Sequence, residues 1–168
     1  MGMTATFVQV SPDLLERILA DPSLMLKIYE EETESEEFEG ETFAMVDIDK
    51  SWQGIHFLLT GDPEGGALPL ANAILGGAPL DNSEEYEETR FLSPEEVTEV
   101  TEALTDVTAE HLERRYDPEL MDQLDIYPGY WMRDREESLE YLISYYNDLK
   151  QFYESAAREG KAMIISIG

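Results

Sequence analysis

The sequence predicts an α+β fold: one domain over residues 1–168 in which several helices pack on a small mixed or antiparallel sheet. Three observations carry this. β-forming segments stand near both ends of the chain, over residues 4–10 and 161–167. Between them, Ser-Pro and Asp-Pro steps repeatedly open stretches with apolar residues at helical spacing. Helices outnumber strands and the strands lie far apart in sequence, which suggests helices packed on one sheet. The length of 168 residues suits a single domain.

Taken in order, residues 4–10 alternate and form a strand. Ser11 caps a helix whose first turn holds Pro12 and whose apolar side carries Leu14, Leu15, Ile18 and Leu19. Asp21-Pro22 repeats the start signal ahead of Leu24, Met25, Ile28 and Tyr29. Residues 30–41 are mostly Glu and read as a solvated acidic loop, at about 30–42, without apolar anchors. The apolar residues 43–48 lead into a helix bracketed by Asp49 as N-cap and Gly61 as the residue past its end. Phe57, Leu58 and Leu59 are consecutive, so this helix is apolar on most sides and central, although periodicity alone also allows a strand from Ile55 to Leu59.

Residues 69–75 form a short helix stopped by Gly76-Gly77. Residues 84–92 are mixed, with a strand near 89–92. Ser93-Pro94-Glu95-Glu96 is a capping box with proline in the first turn, followed by Val97, Val100, Leu104 and Val107. Thr108 and Asp117 start two more helices, and residues 126–131 form an aromatic loop. The longest helix spans residues 134–159. It buries Leu139, Leu142, Ile143, Tyr146, Leu149, Tyr153 and Ala156, and Gly160 ends it. Residues 161–167 are apolar on both faces and belong inside the sheet.

Charge narrows the function. With 38 acidic and 11 basic residues the formal charge is −27. That field repels phosphate backbones and anionic membrane surfaces, so neither a nucleic acid nor a membrane is an expected partner. A basic protein partner, a surface adapted to salt, or DNA mimicry remain. Acidic residues on nearly every predicted helix favour a general surface property. The N-terminal segment has no basic-then-apolar leader pattern, and the expected location is cytoplasmic.

Known motifs are missing. There is no phosphate loop, dinucleotide loop or nucleophile elbow. The run Asp47-Ile48-Asp49-Lys50-Ser51 opens like a calcium loop but fails where Gly and Glu are needed, at Trp52 and Leu58. Two histidines and no cysteine give no zinc site, and no metal or cofactor is expected.

One constellation remains on the central helix. On a helical period Asp49, Trp52, Gln53 and His56 share a face. In a functional reading His56 acts as a base or hydrogen-bond donor oriented by Asp47 or Asp49. The structural reading is a buried, satisfied histidine above a capping Asp49, and it carries more weight because buried polar groups are usually paired. Lys50 and Arg90 stand out because cations are scarce; either suits an anionic ligand, but an internal salt bridge to one of the many carboxylates is the stronger expectation. Tyr127, Tyr130 and Trp131 suit a ligand site or a cover over the core.

These residues resemble the YfbM-like family of small bacterial proteins, a domain of unknown function. The strongest block is Asp47-Ile48-Asp49-Lys50-Ser51-Trp52-Gln53-Gly54-Ile55-His56 and on to Gly61. Pro69-Leu70 with Gly76-Gly77, Arg90 before the Ser93 helix, Ile126-Tyr127-Pro128 with Trp131, and the Tyr-rich C-terminal helix support it. The likeness covers essentially the whole chain; the Glu-rich run and the acidity depart from it. It implies a bacterial α+β domain and no activity. The sequence therefore favours a noncatalytic binding or interaction module, accessory or immunity-like, over a small hydrolase or transferase using His56 with Asp47 or Asp49.

Overall fold

Five strands form one antiparallel sheet in the order β2-β1-β5-β4-β3. The computed structural model describes residues 2–34, 36–81 and 88–168. Residues 84–87 of the predicted mixed segment lie outside them. The strands are β1 (Ala5–Val10), β2 (Ala44–Asp47), β3 (Ala78–Pro79), β4 (Thr89–Leu92) and β5 (Ala162–Ile167). The chain's first and last strands pair along their length, Ala5 opposite Ile167 and Val10 opposite Ala162. β5 sits at the centre because it buries residues on both faces, as its unbroken apolar run predicts.

Side-chain alternation divides the core in two. Ala5 and Phe7 of β1 and Met163 and Ile165 of β5 face one cluster; Val8, Val10, Ala162 and Ile164 face the other. The second cluster is closed by α1 (Pro12–Ala20) and α2 (Leu24–Tyr29). The first is closed by α3 (Trp52–Thr60), α4 (Pro94–Thr105), α5 (Ala109–Arg115), α6 (Pro118–Gln123) and α7 (Arg135–Arg158). Helices thus cover both faces of the sheet.

Helix starts follow local chemistry. Ser11 accepts from the Leu14 N–H, Ser93 and Glu96 form the predicted capping box, and Thr108 and Asp117 cap α5 and α6. Gly61 ends α3 in the left-handed region, at φ 77°, and returns its N–H to the Phe57 carbonyl. Gly54 has a packing role. A Cβ there would lie 2.8 Å from Leu142 Cδ2 and 3.0 Å from the Trp131 ring, so glycine lets α3 approach α7 closely.

Several expectations need correction. Asp49 does not cap the central helix. It lies at φ 53° in a 3-10 turn (Asp49–Ser51), and α3 begins only at Trp52. Asp21 does not start α2 directly; its carboxylate accepts the Ser23 N–H and hydroxyl in a side-chain turn, and the helix opens at Leu24. Residues 69–75 form only a 3-10 turn (Leu70–Asn72) with flanking turns. The acidic segment does have an apolar anchor. Phe38 is buried against Phe43 in the second cluster, and Glu37 and Glu41 pair with Lys27 and Arg17 of the adjacent helices. Its many like charges hide one aromatic residue that outweighs them in burial.

Candidate functional site

The block at residues 47–56 is built from a tight turn and an interior helix, and these send its polar groups in different directions. Asp47 accepts the Asp49 N–H at 2.7 Å, which holds the left-handed turn leaving β2. Asp49 then receives the Tyr141 hydroxyl from α7 at 2.6 Å, and that same oxygen accepts the Lys50 N–H at 3.0 Å. Burial, and next the hydrogen bond to Asp49, hold the Tyr141 phenol far above its ordinary range. A 3-10 turn takes about 3 residues where an α-helix takes about 3.6, so Asp49 falls out of phase with α3.

His56 is fully buried. Its Nε2 lies 2.8 Å from the Gly65 carbonyl and so carries the proton; Nδ1 has no partner among the described residues. Burial lowers its pKa below the ordinary value, keeping the ring neutral. The carboxylate that acts on it is Asp62, not Asp47 or Asp49. Asp62 accepts the N–H groups of Gly65 and Glu64, and those bonds depress its own pKa. Asp62 therefore shapes the loop that presents the Gly65 carbonyl to His56. The expected oriented pair of His56 with Asp47 or Asp49 does not form. The second histidine, His111, is also structural: its Nδ1 accepts the Thr108 N–H at the start of α5.

Trp52, Gln53 and Tyr127 do come together. Trp52 and Tyr127 stack with centroids 5.3 Å apart. Gln53 accepts the Tyr127 N–H at 2.7 Å and donates to the Pro63 carbonyl, tying both loops to α3. Trp131 is a core residue, its ring N–H bonded to the Ile126 carbonyl and its backbone N–H to Asp122. Tyr130 is exposed beneath the Arg133 guanidinium.

Two pockets flank the stack, and Tyr127 lines both. One, of about 660 Å³, includes Lys50, Arg133 and Tyr141. The other, of about 560 Å³, includes Trp52, Gln53 and Arg90. Neither cation predicted from scarcity forms an ion pair among the described residues. No group of three His, Cys, Asp or Glu side chains among them is placed to hold a metal. No helix there is long and apolar enough to cross a membrane.

A family profile described as "Domain of unknown function (DUF1877)" matches residues 1–166. The chain belongs to this family. A solved structure described as a protein of unknown function, YfbM from Escherichia coli, is similar to it at a TM-score of 0.73 and 19% identity. The alignment covers 98% of this chain and 99% of that one. At that identity the likeness shows the fold. No curated protein matches.

Within this DUF1877 chain, sequence reading missed the polar residues that organise the site from a distance. Asp62, Gly65 and Tyr141 carry no motif. Arg115 is equally silent, although it donates to the Leu58 and Leu59 carbonyls at the end of α3. The one usable signal was the scarcity of cations, which marked Lys50 and Arg90.

Proposed function

We propose that the protein is a noncatalytic binding module that engages a basic protein partner through the solvent side of α4 and α7. The observation that carries this reading is the uncompensated charge of that face. Glu95, Glu99 and Glu102 of α4 and Glu140, Asp148 and Glu154 of α7 are exposed, and none is in an ion pair among the described residues. On the opposite layer Arg17 and Lys27 answer nearby glutamates. Such a face steers cationic partners and repels anionic ones. The structural use of His56 and His111 adds support, since both imidazoles are engaged in holding loops and helix ends.

The test is affinity capture at two salt concentrations, with a Glu95→Gln/Glu99→Gln/Glu102→Gln variant beside the unmodified chain. Raising salt from about 0.1 M to about 1 M shortens the screening length from roughly 10 Å to roughly 3 Å. Basic partners should be recovered at the lower salt, released at the higher, and lost from the variant. Partners that persist in concentrated salt, or bind the variant equally, remove the basis of the proposal.

A further inference from the structure

The pocket on the Arg90 side of the Trp52–Tyr127 stack has the features of a small-molecule site. It lies beside β4 and the C-terminal part of β5, on the sheet face shared with α3. Arg90 lies opposite Ile165 in the antiparallel register, and Ile167 follows two residues on, on the same face. Ile165, Ile167 and Leu75 give the pocket apolar ground, and Trp52 gives it an aromatic wall. Its volume of about 560 Å³ falls among those of ligand clefts.

The charges at its rim have an unusual arrangement. Arg90, Glu64 and Glu88 all line the pocket, yet Arg90 forms no ion pair with either glutamate. In this chain most cations are engaged. Arg17, Lys27, Arg114 and Arg133 pair with carboxylates, and Arg115, Lys150 and Lys161 donate to backbone carbonyls. A guanidinium and two carboxylates without ion-pair partners among the described residues, over an apolar floor, complement a ligand carrying both signs.

We propose that this pocket binds an apolar α-amino acid. Its carboxylate meets Arg90, its ammonium meets Glu64 and Glu88, and its side chain lies over Ile165 and Leu75 against Trp52. A purely anionic ligand would face two glutamates and the −27 field of the whole chain. A purely cationic one would face Arg90. Only a ligand with both groups answers all three charges, and guanidinium–carboxylate geometry favours a two-pronged contact. This inference is independent of the acidic helical face.

The test uses ¹⁵N-labelled full-length protein and NMR. The Trp52 indole N–H, bonded to the Met3 carbonyl at the pocket edge, reports on the site. The Trp131 indole, bonded to the Ile126 carbonyl, serves as reference. Probes are L-leucine, L-isoleucine, L-methionine and L-phenylalanine, followed by phenethylamine and 3-phenylpropionate, which lack the carboxylate and the ammonium respectively. At least one amino acid should shift Trp52 saturably below about 20 mM, and each truncated analogue of phenylalanine should bind about tenfold more weakly. In an Arg90→Ala variant, exposed enough to fold unchanged, phenylalanine and phenethylamine should bind alike. The proposal is overturned if no amino acid saturates, if Trp131 shifts instead of Trp52, or if the truncated analogues bind as well as phenylalanine. It is also overturned if Arg90→Ala keeps the preference for the carboxylate.

Discussion

Trp52 and Tyr127 stack with their rings 25° from parallel, and together they grip the backbone of Met3. The Tyr127 hydroxyl accepts the Met3 N–H at 2.7 Å, and the Trp52 indole donates to the Met3 carbonyl at 3.0 Å. The pair therefore fixes the entry of β1 as well as the wall between two pockets. Tyr127→Phe removes only an acceptor for a solvent-accessible amide and should cost about 0.5–1.5 kcal/mol. Trp52→Ala empties a buried position and should cost about 3–5 kcal/mol. Urea denaturation of the two variants measures both; near-equal losses would contradict this division of labour.

His56 predicts a pH dependence with a definite sign. Its folded pKa lies below the ordinary value of 6.5 because burial disfavours the cation. As the pH falls below 6.5 the unfolded chain takes up a proton that the folded chain refuses, so stability drops. Well above that pH both states are neutral and the penalty vanishes. Carboxylate titrations overlap this window, so the informative quantity is a difference. The stability of the unmodified chain should fall more steeply below pH 6.5 than that of His56→Leu, as followed by chemical denaturation across the range. Parallel curves would show that His56 accepts a proton without cost.

Phe38 turns the Glu-rich segment into part of the core. It is buried at 4% exposure and meets Phe43 edge-to-face at 5.5 Å. Phe38→Ala should cost about 3–5 kcal/mol. Substituting Glu36 or Glu39 with Gln should change stability by no more than about 0.5 kcal/mol. Thermal unfolding of the three variants distinguishes an anchored segment from a free one.

Arg115 closes the C-terminal end of the central helix from another element. It reaches the carbonyls of Leu58 and Leu59 at 2.9 and 2.8 Å. Those groups belong to the last turn of α3, where no intrahelical N–H remains to satisfy them. Arg115→Met should cost about 1.5–3 kcal/mol, the worth of hydrogen bonds to a charged donor. Both bonds come from Nη1 alone, so Arg115→Lys, whose ammonium also carries several donors on a shorter and more flexible stem, should recover part of the loss. Hydrogen exchange of the amides in α3 should quicken in both variants, more in the first.

Most of the secondary structure was legible because it rests on local rules. Ser11, Ser93, Thr108 and Asp117 cap helices by accepting from the amide three residues ahead, and such signals need no tertiary context. The stripe of α7, buried at Leu142, Tyr146, Leu149, Tyr153 and Ala156 but only half-buried at the predicted Leu139 and Ile143, and the doubly apolar β5 are periodic patterns of the same kind. The failures have physical causes as well. Asp49 resembles a cap, but the Tyr141 hydroxyl, 92 residues away, claims its carboxylate. The two-residue strand β3 is too short to leave a pattern.

By itself, then, the chain determined its helices, its central strand, its acidity and its family, since each depends on neighbours in sequence or on totals. Tertiary structure alone decided what the polar residues of the central block do. Closure of the loop at Asp62 seals His56, α7 takes Asp49, and the stack of Trp52 on Tyr127 leaves Lys50 and Arg90 in separate pockets. The reason is that a side chain's role follows from its burial and its partner, and here each partner comes from a distant segment or from a loop without a motif.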